Sequence, residues 1–131
     1  MLRTTRFRFL AGTLFLGLAA VALAQRWEYL GGANVDGAID PDKIMLTAAK
    51  GQYRAIEIRV EKGPIVFDHV VVHFGNGSRD PIAIRSAIPA GGKTRLIDLP
   101  GNHRIIESVE FWYERGSLAS EKPKVRLWGL H

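Results

Sequence analysis

The sequence predicts an all-β domain: a single antiparallel β-sandwich, Greek-key or jelly-roll-like, of about eight short strands behind an N-terminal signal peptide. Three observations carry this. Beyond residue 25, no segment repeats apolar residues at i, i+3, i+4 and i+7 over a helical length. Alternation with period two recurs instead, as expected of strands with one buried and one wetted face. Clusters of Gly, Pro, Asn and Asp punctuate these stretches at intervals of roughly 10–13 residues.

The elements follow in order. Residues 1–24 begin with Arg3, Arg6 and Arg8 and no acid, then run almost wholly apolar to Ala24. Ala22 and Ala24 are the small residues that a signal-peptide cleavage site wants, and Gln25 follows. The apolar run falls short of the roughly 18–20 residues a membrane span needs, so no stable anchor is expected after cleavage. With no Arg-Arg pair, the general secretory route is expected, and a location in the periplasm or outside the cell. Residues 25–131 form the β-sandwich domain.

Short strands are expected at 27–30 and 43–47. In Ala55–Glu61, Ile56, Ile58 and Val60 alternate with Glu57, Arg59 and Glu61. Over 68–74 the apolar face is Val70, Val72 and Phe74, and Ile82 and Ile84 repeat the pattern. A strand is expected over 95–99, although the adjacent Leu96 and Ile97 leave its inner face open. Val109, Phe111 and Tyr113 alternate with Glu110 and Trp112, and Val125 and Leu127 with Arg126 and Trp128. Gly75-Asn76-Gly77-Ser78 reads as a hairpin, because Asn and Gly both tolerate positive φ. The clusters at 62–64, 88–92 and 99–102 read as turns.

Charge and composition exclude several functions. The chain has 131 residues, 47% hydrophobic and 24% charged, with a net charge of +5. Removal of the leader leaves 15 of the 18 basic residues against all 13 acidic ones, a net of +2, which is no footprint for nucleic acid. The absence of Cys excludes disulfides, thiolate metal sites and a cysteine nucleophile.

Candidate chemistry is sparse. Asn34, Asp36, Asp40 and Asp42 around Gly37 offer oxygen ligands for calcium, with Asp36, Asp40 and Asp42 as the metal candidates. The spacing is not that of an EF-hand, and Asp36-Gly37 and Asp40-Pro41 are equally turn formers. No other cofactor is expected. His69 and His73 share a strand face, but four residues at about 3.3 Å each separate them by roughly 13 Å, too far for one ion. Ala87-Ile88-Pro89-Ala90-Gly91-Gly92-Lys93-Thr94 ends like a phosphate loop, but lacks its first Gly and is followed by a strand pattern, so a hairpin turn is expected. No G-x-S-x-G is present, and the chain is expected not to be an enzyme. Arg79, Arg85, Arg95 and Arg104 flank turns; Arg95, Asp98 and Arg104 can form an ion-pair network, or the arginines can meet an acidic polysaccharide or lipid head group, and plain solvated charge is the preferred reading.

Aromatic residues are the more specific signal. Trp112 and Trp128 fall opposite the apolar faces of their strands, beside Glu110, Glu114 and Arg126. An indole on the outside of a sheet can stack on a sugar ring or anchor a protein. A bulge that shifts the register would instead bury it. Trp112, Trp128 and Arg126 are therefore the candidate contacts of a binding or accessory domain for a glycan, cell-envelope polymer or protein partner. The alternative is a structural protein that assembles through a sheet edge.

The run Ile88-Pro89-Ala90-Gly91-Gly92-Lys93-Thr94-Arg95-Leu96-Ile97-Asp98-Leu99-Pro100-Gly101, with Arg104-Ile105, Val109-Glu110-Phe111-Trp112-Tyr113, Val35-Asp36, Asp40 and Phe74-Gly75-Asn76-Gly77, resembles a family of small exported bacterial proteins of unknown function. The resemblance covers most of residues 25–131 and implies a bacterial source. It brings no reaction, ligand or catalytic residue.

Overall fold

The structure is a computed structural model that describes residues 26–37, 42–46 and 51–131. The proposed leader and Asp40 lie outside the described residues. Eight strands follow one another: β1 Trp27–Asn34, β2 Asp42–Met45, β3 Ala55–Glu61, β4 Ile65–Phe74, β5 Arg79–Ile88, β6 Ile97–Asp98, β7 Ile106–Tyr113 and β8 Lys124–Leu130. They form two four-stranded antiparallel sheets, ordered β1-β8-β3-β6 and β2-β7-β4-β5. The first strand thus pairs with the last, the second with the seventh, the third with the sixth and the fourth with the fifth. One long hairpin with β4 and β5 at its tip, rolled so that successive pairs alternate between sheets, gives this order. That is a jelly roll.

The alternating residues meet between the sheets. Ile56, Ile58 and Val60 of β3, Val70, Val72 and Phe74 of β4, Val109 and Phe111 of β7, and Val125 and Leu127 of β8 are all buried in one cluster. Each such side chain contributes about 1.5–3 kcal/mol on leaving water. Tyr53, just ahead of β3, is fully buried, and Gly129 of β8 makes room for it: a Cβ there would lie 2.6 Å from Tyr53 Cδ1.

Three expectations change in detail. The 75–78 hairpin forms, but Gly77 alone of the Asn-Gly pair has positive φ (87°), and Gly77 N–H closes the turn on the Phe74 carbonyl at 3.0 Å. The turn after Ala87 is no hairpin. It closes through Gly92 N–H to Pro89 O at 2.9 Å and then crosses to the other sheet. There Gly91 and Gly92 exchange backbone bonds with Val60, and Thr94 Oγ1 accepts the Ile58 N–H at 3.0 Å, so the chain runs beside β3 instead of returning along β5. The strand expected over 95–99 shrinks to Ile97–Asp98, with Ile97 inside and Leu96 outside.

Both ladders of β4 are irregular between Phe67 and His69: Asp68 is the extra residue of a bulge against β7, and Ile84 and Arg85 of β5 together stand across from it. Opposite it Arg85 adopts φ 46°, a left-handed conformation uncommon outside Gly and Asn. This pair of distortions opens the end of the second sheet next to Trp112.

Candidate functional site

Trp112 and Trp128 are not brought together. β7 lies in the second sheet and β8 in the first, and both indoles face away from the core, so they stand on opposite outer faces of the sandwich. Their surroundings differ.

On the first sheet, the Arg59 guanidinium lies 4.2 Å above the Trp128 ring, and Tyr29 packs on it at 5.5 Å between centroids. Arg59 also pairs with the buried Glu57 at 2.8 Å, which Lys93 approaches at 3.5 Å. Arg126 pairs through Nε with Glu61 at 3.1 Å and lies 5.7 Å from the Tyr29 ring centroid. The flat surface of Trp128 is thus occupied by its own neighbours. Its Nε1 is enclosed without a hydrogen-bond partner.

On the second sheet, Trp112 stacks against His69, the cross-strand residue on β4, and lines a cleft of about 430 Å³ with Val66, Phe67, Asp68, Arg85, Tyr113 and Glu114. That volume lies within the usual range for small-ligand clefts. Here an indole, two carboxylates and a guanidinium surround one opening. Asp68 accepts from His69 Nδ1 at 2.6 Å, and the Glu114 backbone N–H is fixed to Val66 O at 3.0 Å. Arg85 stands among the turn-flanking arginines and Asp68 among the strand carboxylates of the sequence, but that they meet Glu114 at one opening was not legible, because it rests on the irregular ladder and the left-handed Arg85.

Behind Trp112, Tyr113 reaches the acidic loop. Its hydroxyl donates to Asp42 Oδ2 at 2.8 Å and accepts the Gly37 N–H at 3.0 Å. Burial, and then the Asp42 bond, push the phenol up to about 12. Burial also raises the Asp42 carboxyl, and the charge of Asp36 adds to this, against the opposing Tyr113 bond. Asp36 and Asp42 are therefore neighbours. Lys122 Nζ donates to the Asp36 carbonyl at 3.0 Å. Among the described residues no three His, Cys, Asp or Glu side chains gather as a metal site.

His73, His131, Arg95 and Arg104 are engaged locally. His73 bonds Glu110 through Nε2, and His131 Nε2 meets Glu28 Oε2 at 2.8 Å. Arg95 and Arg104 form no network with Asp98: Arg95 donates to the Ala83 and Leu96 carbonyls, and Arg104 to Pro100 O and Ser78 Oγ. The sheet edges bear on the assembly alternative. The long edge strand β5 carries Pro81, which has no N–H, the kink at Arg85, and the Arg95 guanidinium on Ala83 O at 2.9 Å. These are features that discourage another strand from pairing.

No curated protein matches the sequence. Among solved structures, the chain is similar to Pseudomonas aeruginosa AlgX, with a TM-score of 0.47 and 13% identity over 76% of this chain, which spans only 25% of that one. It is also similar to hydroxypropylphosphonic acid epoxidase from S. wedmorenis, with a TM-score of 0.37 and 12% identity over 80% of this chain and 44% of the other. A carbohydrate binding module of family 29 gives a TM-score of 0.37 and 9% identity over 79% of this chain and 80% of the other. None of these distant likenesses speaks to function. The sequence match does speak to kinship: residues 9–129 fit the family described as Domain of unknown function (DUF2541), and the chain belongs to it.

Proposed function

We propose that this domain is an exported, non-catalytic module of the bacterial cell envelope that binds a carbohydrate in the Trp112 cleft. The observation that supports the reading is the indole at the wall of a 430 Å³ opening that also holds Asp68, Glu114 and Arg85. A sugar ring offers an apolar C–H face to an aromatic ring, and hydroxyls that both donate and accept. The carboxylates serve the donors and the guanidinium the acceptors. Trp128 and Arg126 take no part in this contact, since Arg59, Tyr29 and Glu61 already engage them.

The test uses the full chain expressed with its own leader. Native gels cast with envelope and plant polysaccharides measure retardation, and circular dichroism checks the fold. At least one polysaccharide is expected to retard the protein, Trp112→Ala to abolish the effect, and Trp128→Ala to leave it in place. A folded Trp112→Ala variant that is retarded as strongly as the parent overturns the reading.

A further inference from the structure

A second cleft opens at the other end of β4, beside the hairpin to β5. It encloses about 170 Å³ between Gln52, Phe74, Asn76, His103, Arg104 and Ile105. Among the described residues, no carboxylate lines it.

Arg104 is its fixed point. Its backbone exchanges two hydrogen bonds with the buried Tyr53, at 2.8 and 2.9 Å. Its guanidinium lies 3.7 Å above the ring of Phe74, itself buried. Nη1 donates to Pro100 O at 3.1 Å and Nη2 to Ser78 Oγ at 3.0 Å. An arginine has five N–H donors. Two are therefore engaged, and the others have no protein acceptor among the described residues. The hydroxyl of Ser78 in turn donates to Asn76 Oδ1 at 2.6 Å, and the Ser78 N–H adds a second bond to the same oxygen at 3.0 Å. That leaves the Asn76 amide nitrogen as a further donor at the cleft, whose lining also includes His103.

The chemistry is one-sided. A cation with spare donors, an amide and an imidazole converge where no anion answers them. A surface arginine ordinarily loses much side-chain freedom on gripping a ligand; one already pinned by a ring and two acceptors loses little. Spare N–H groups in a planar fork match an oxyanion, above all a carboxylate or phosphate.

We infer that the Arg104 cleft is an oxyanion-binding site, which takes the carboxylate of a sugar acid or a free phosphate. It is separate in residues from the Trp112 cleft, so either site can fail without the other.

Calorimetric titration of the full chain with a uronic acid trimer, the matching neutral trimer and inorganic phosphate tests the assignment. The uronic acid trimer or phosphate is expected to bind, more weakly at high salt, and Arg104→Gln to weaken that binding by roughly tenfold or more. Binding of the trimer without phosphate identifies a sugar acid as the ligand class, and binding of phosphate alone identifies the inorganic anion. Should Arg104→Gln fail to fold, Arg104→Lys keeps the charge but not the fork, and is expected to weaken binding several-fold with the melting temperature as its check. Failure of both anions to bind the parent chain overturns the inference. With the other cleft disabled by Trp112→Ala, so does undiminished binding by a folded variant that also carries Arg104→Gln, or binding of the neutral trimer as strong as that of the acid.

Discussion

Trp112 and His69 lie ring on ring across β7 and β4, with centroids 4.3 Å apart and planes 12° from parallel. Asp68, on the bulge, holds the imidazole by its Nδ1 at 2.6 Å. One distortion of β4 thus opens the cleft and also braces the indole that lines it. Such ring pairs contribute about 0.5–1.5 kcal/mol. His69→Ala is expected to lower stability by about 1 kcal/mol in urea unfolding. It should weaken carbohydrate binding several-fold, less than Trp112→Ala, because the indole remains but is no longer held. Unchanged binding would show that the stack plays no part in presenting Trp112.

Trp128, by contrast, is met by both Arg59 and Tyr29. Arg59 both lies over that ring and neutralises Glu57, whose side chain is only 4% exposed. Arg59→Ala leaves Glu57 with Lys93 alone, at 3.5 Å. A loss of about 1–3 kcal/mol is expected from the weakened pairing and the lost cation–π contact. Double-mutant cycles with Glu57→Gln check it, since the double variant should recover part of the loss. A loss below about 0.5 kcal/mol would mean that Glu57 is served well enough by Lys93 and water.

Period-two alternation was enough to find the inner faces of β3, β4, β7 and β8, because Ile56, Val72, Phe111 and Leu127 have no other way to leave water. Strand order was not legible, since β7 and β8 carry similar patterns and nothing local says that they belong to different sheets. That is why Trp112 and Trp128 read as companions. The cleft was hidden for a second reason. Asp68 and Arg85 look like ordinary polar strand positions, and it is an irregular ladder, a tertiary feature, that aims them. β6 was overread because Thr94 and its neighbours satisfy their backbone on β3 without becoming a full strand.

Gly129 is the tightest point of the core on β8. A methyl group there would sit 2.6 Å from the Tyr53 ring and 2.8 Å from Leu30 Cδ1, both fully buried. Overpacking of this kind costs about 1–3 kcal/mol. Gly129→Ala is expected to lower the melting temperature by several degrees, and Gly77→Ala, which meets open space but has φ 87°, to do so by less. Equal melting of Gly129→Ala and the parent would mean that the Tyr53 ring can move aside.

The proposed leader makes a mass prediction. Expressed with its own first 24 residues in a bacterium with a secretory pathway, the chain is expected to be recovered outside the cytoplasm. Its N-terminus should be Gln25, just ahead of Trp27 where β1 begins. Intact-mass spectrometry of the recovered protein checks this. Recovery of the uncleaved chain from the cytoplasm would remove both the export reading and the envelope setting of the carbohydrate reading.

Two carboxylates give the pH dependence opposite signs. Glu28 accepts the Tyr53 hydroxyl at 2.8 Å, and this bond, partly offset by burial and aided by His131, holds its carboxyl below the ordinary 4.5. In the unfolded chain Glu28 takes up its proton first as pH falls. Its contribution is therefore present above pH 4.5 and is lost as pH drops through the lower folded value. Asp42 is the reverse. Burial raises it above its ordinary 3.8, so the unfolded chain releases that proton first as pH rises, and stability declines from about pH 3.8 through the folded value. Tyr53→Phe removes the main cause of the Glu28 shift and is expected to flatten the fall in stability below pH 4.5. Asp42→Asn keeps an acceptor for Tyr113 without the buried charge. It is expected to melt higher than the parent at pH 7, with the gain shrinking as pH falls through the raised folded value towards 3.8 and absent below it. Melting curves of the three chains from pH 3 to 8 decide the matter. An Asp42→Asn chain that is less stable than the parent at pH 7 would show that the ionised carboxylate is favoured there, and that something other than Tyr113 answers its charge.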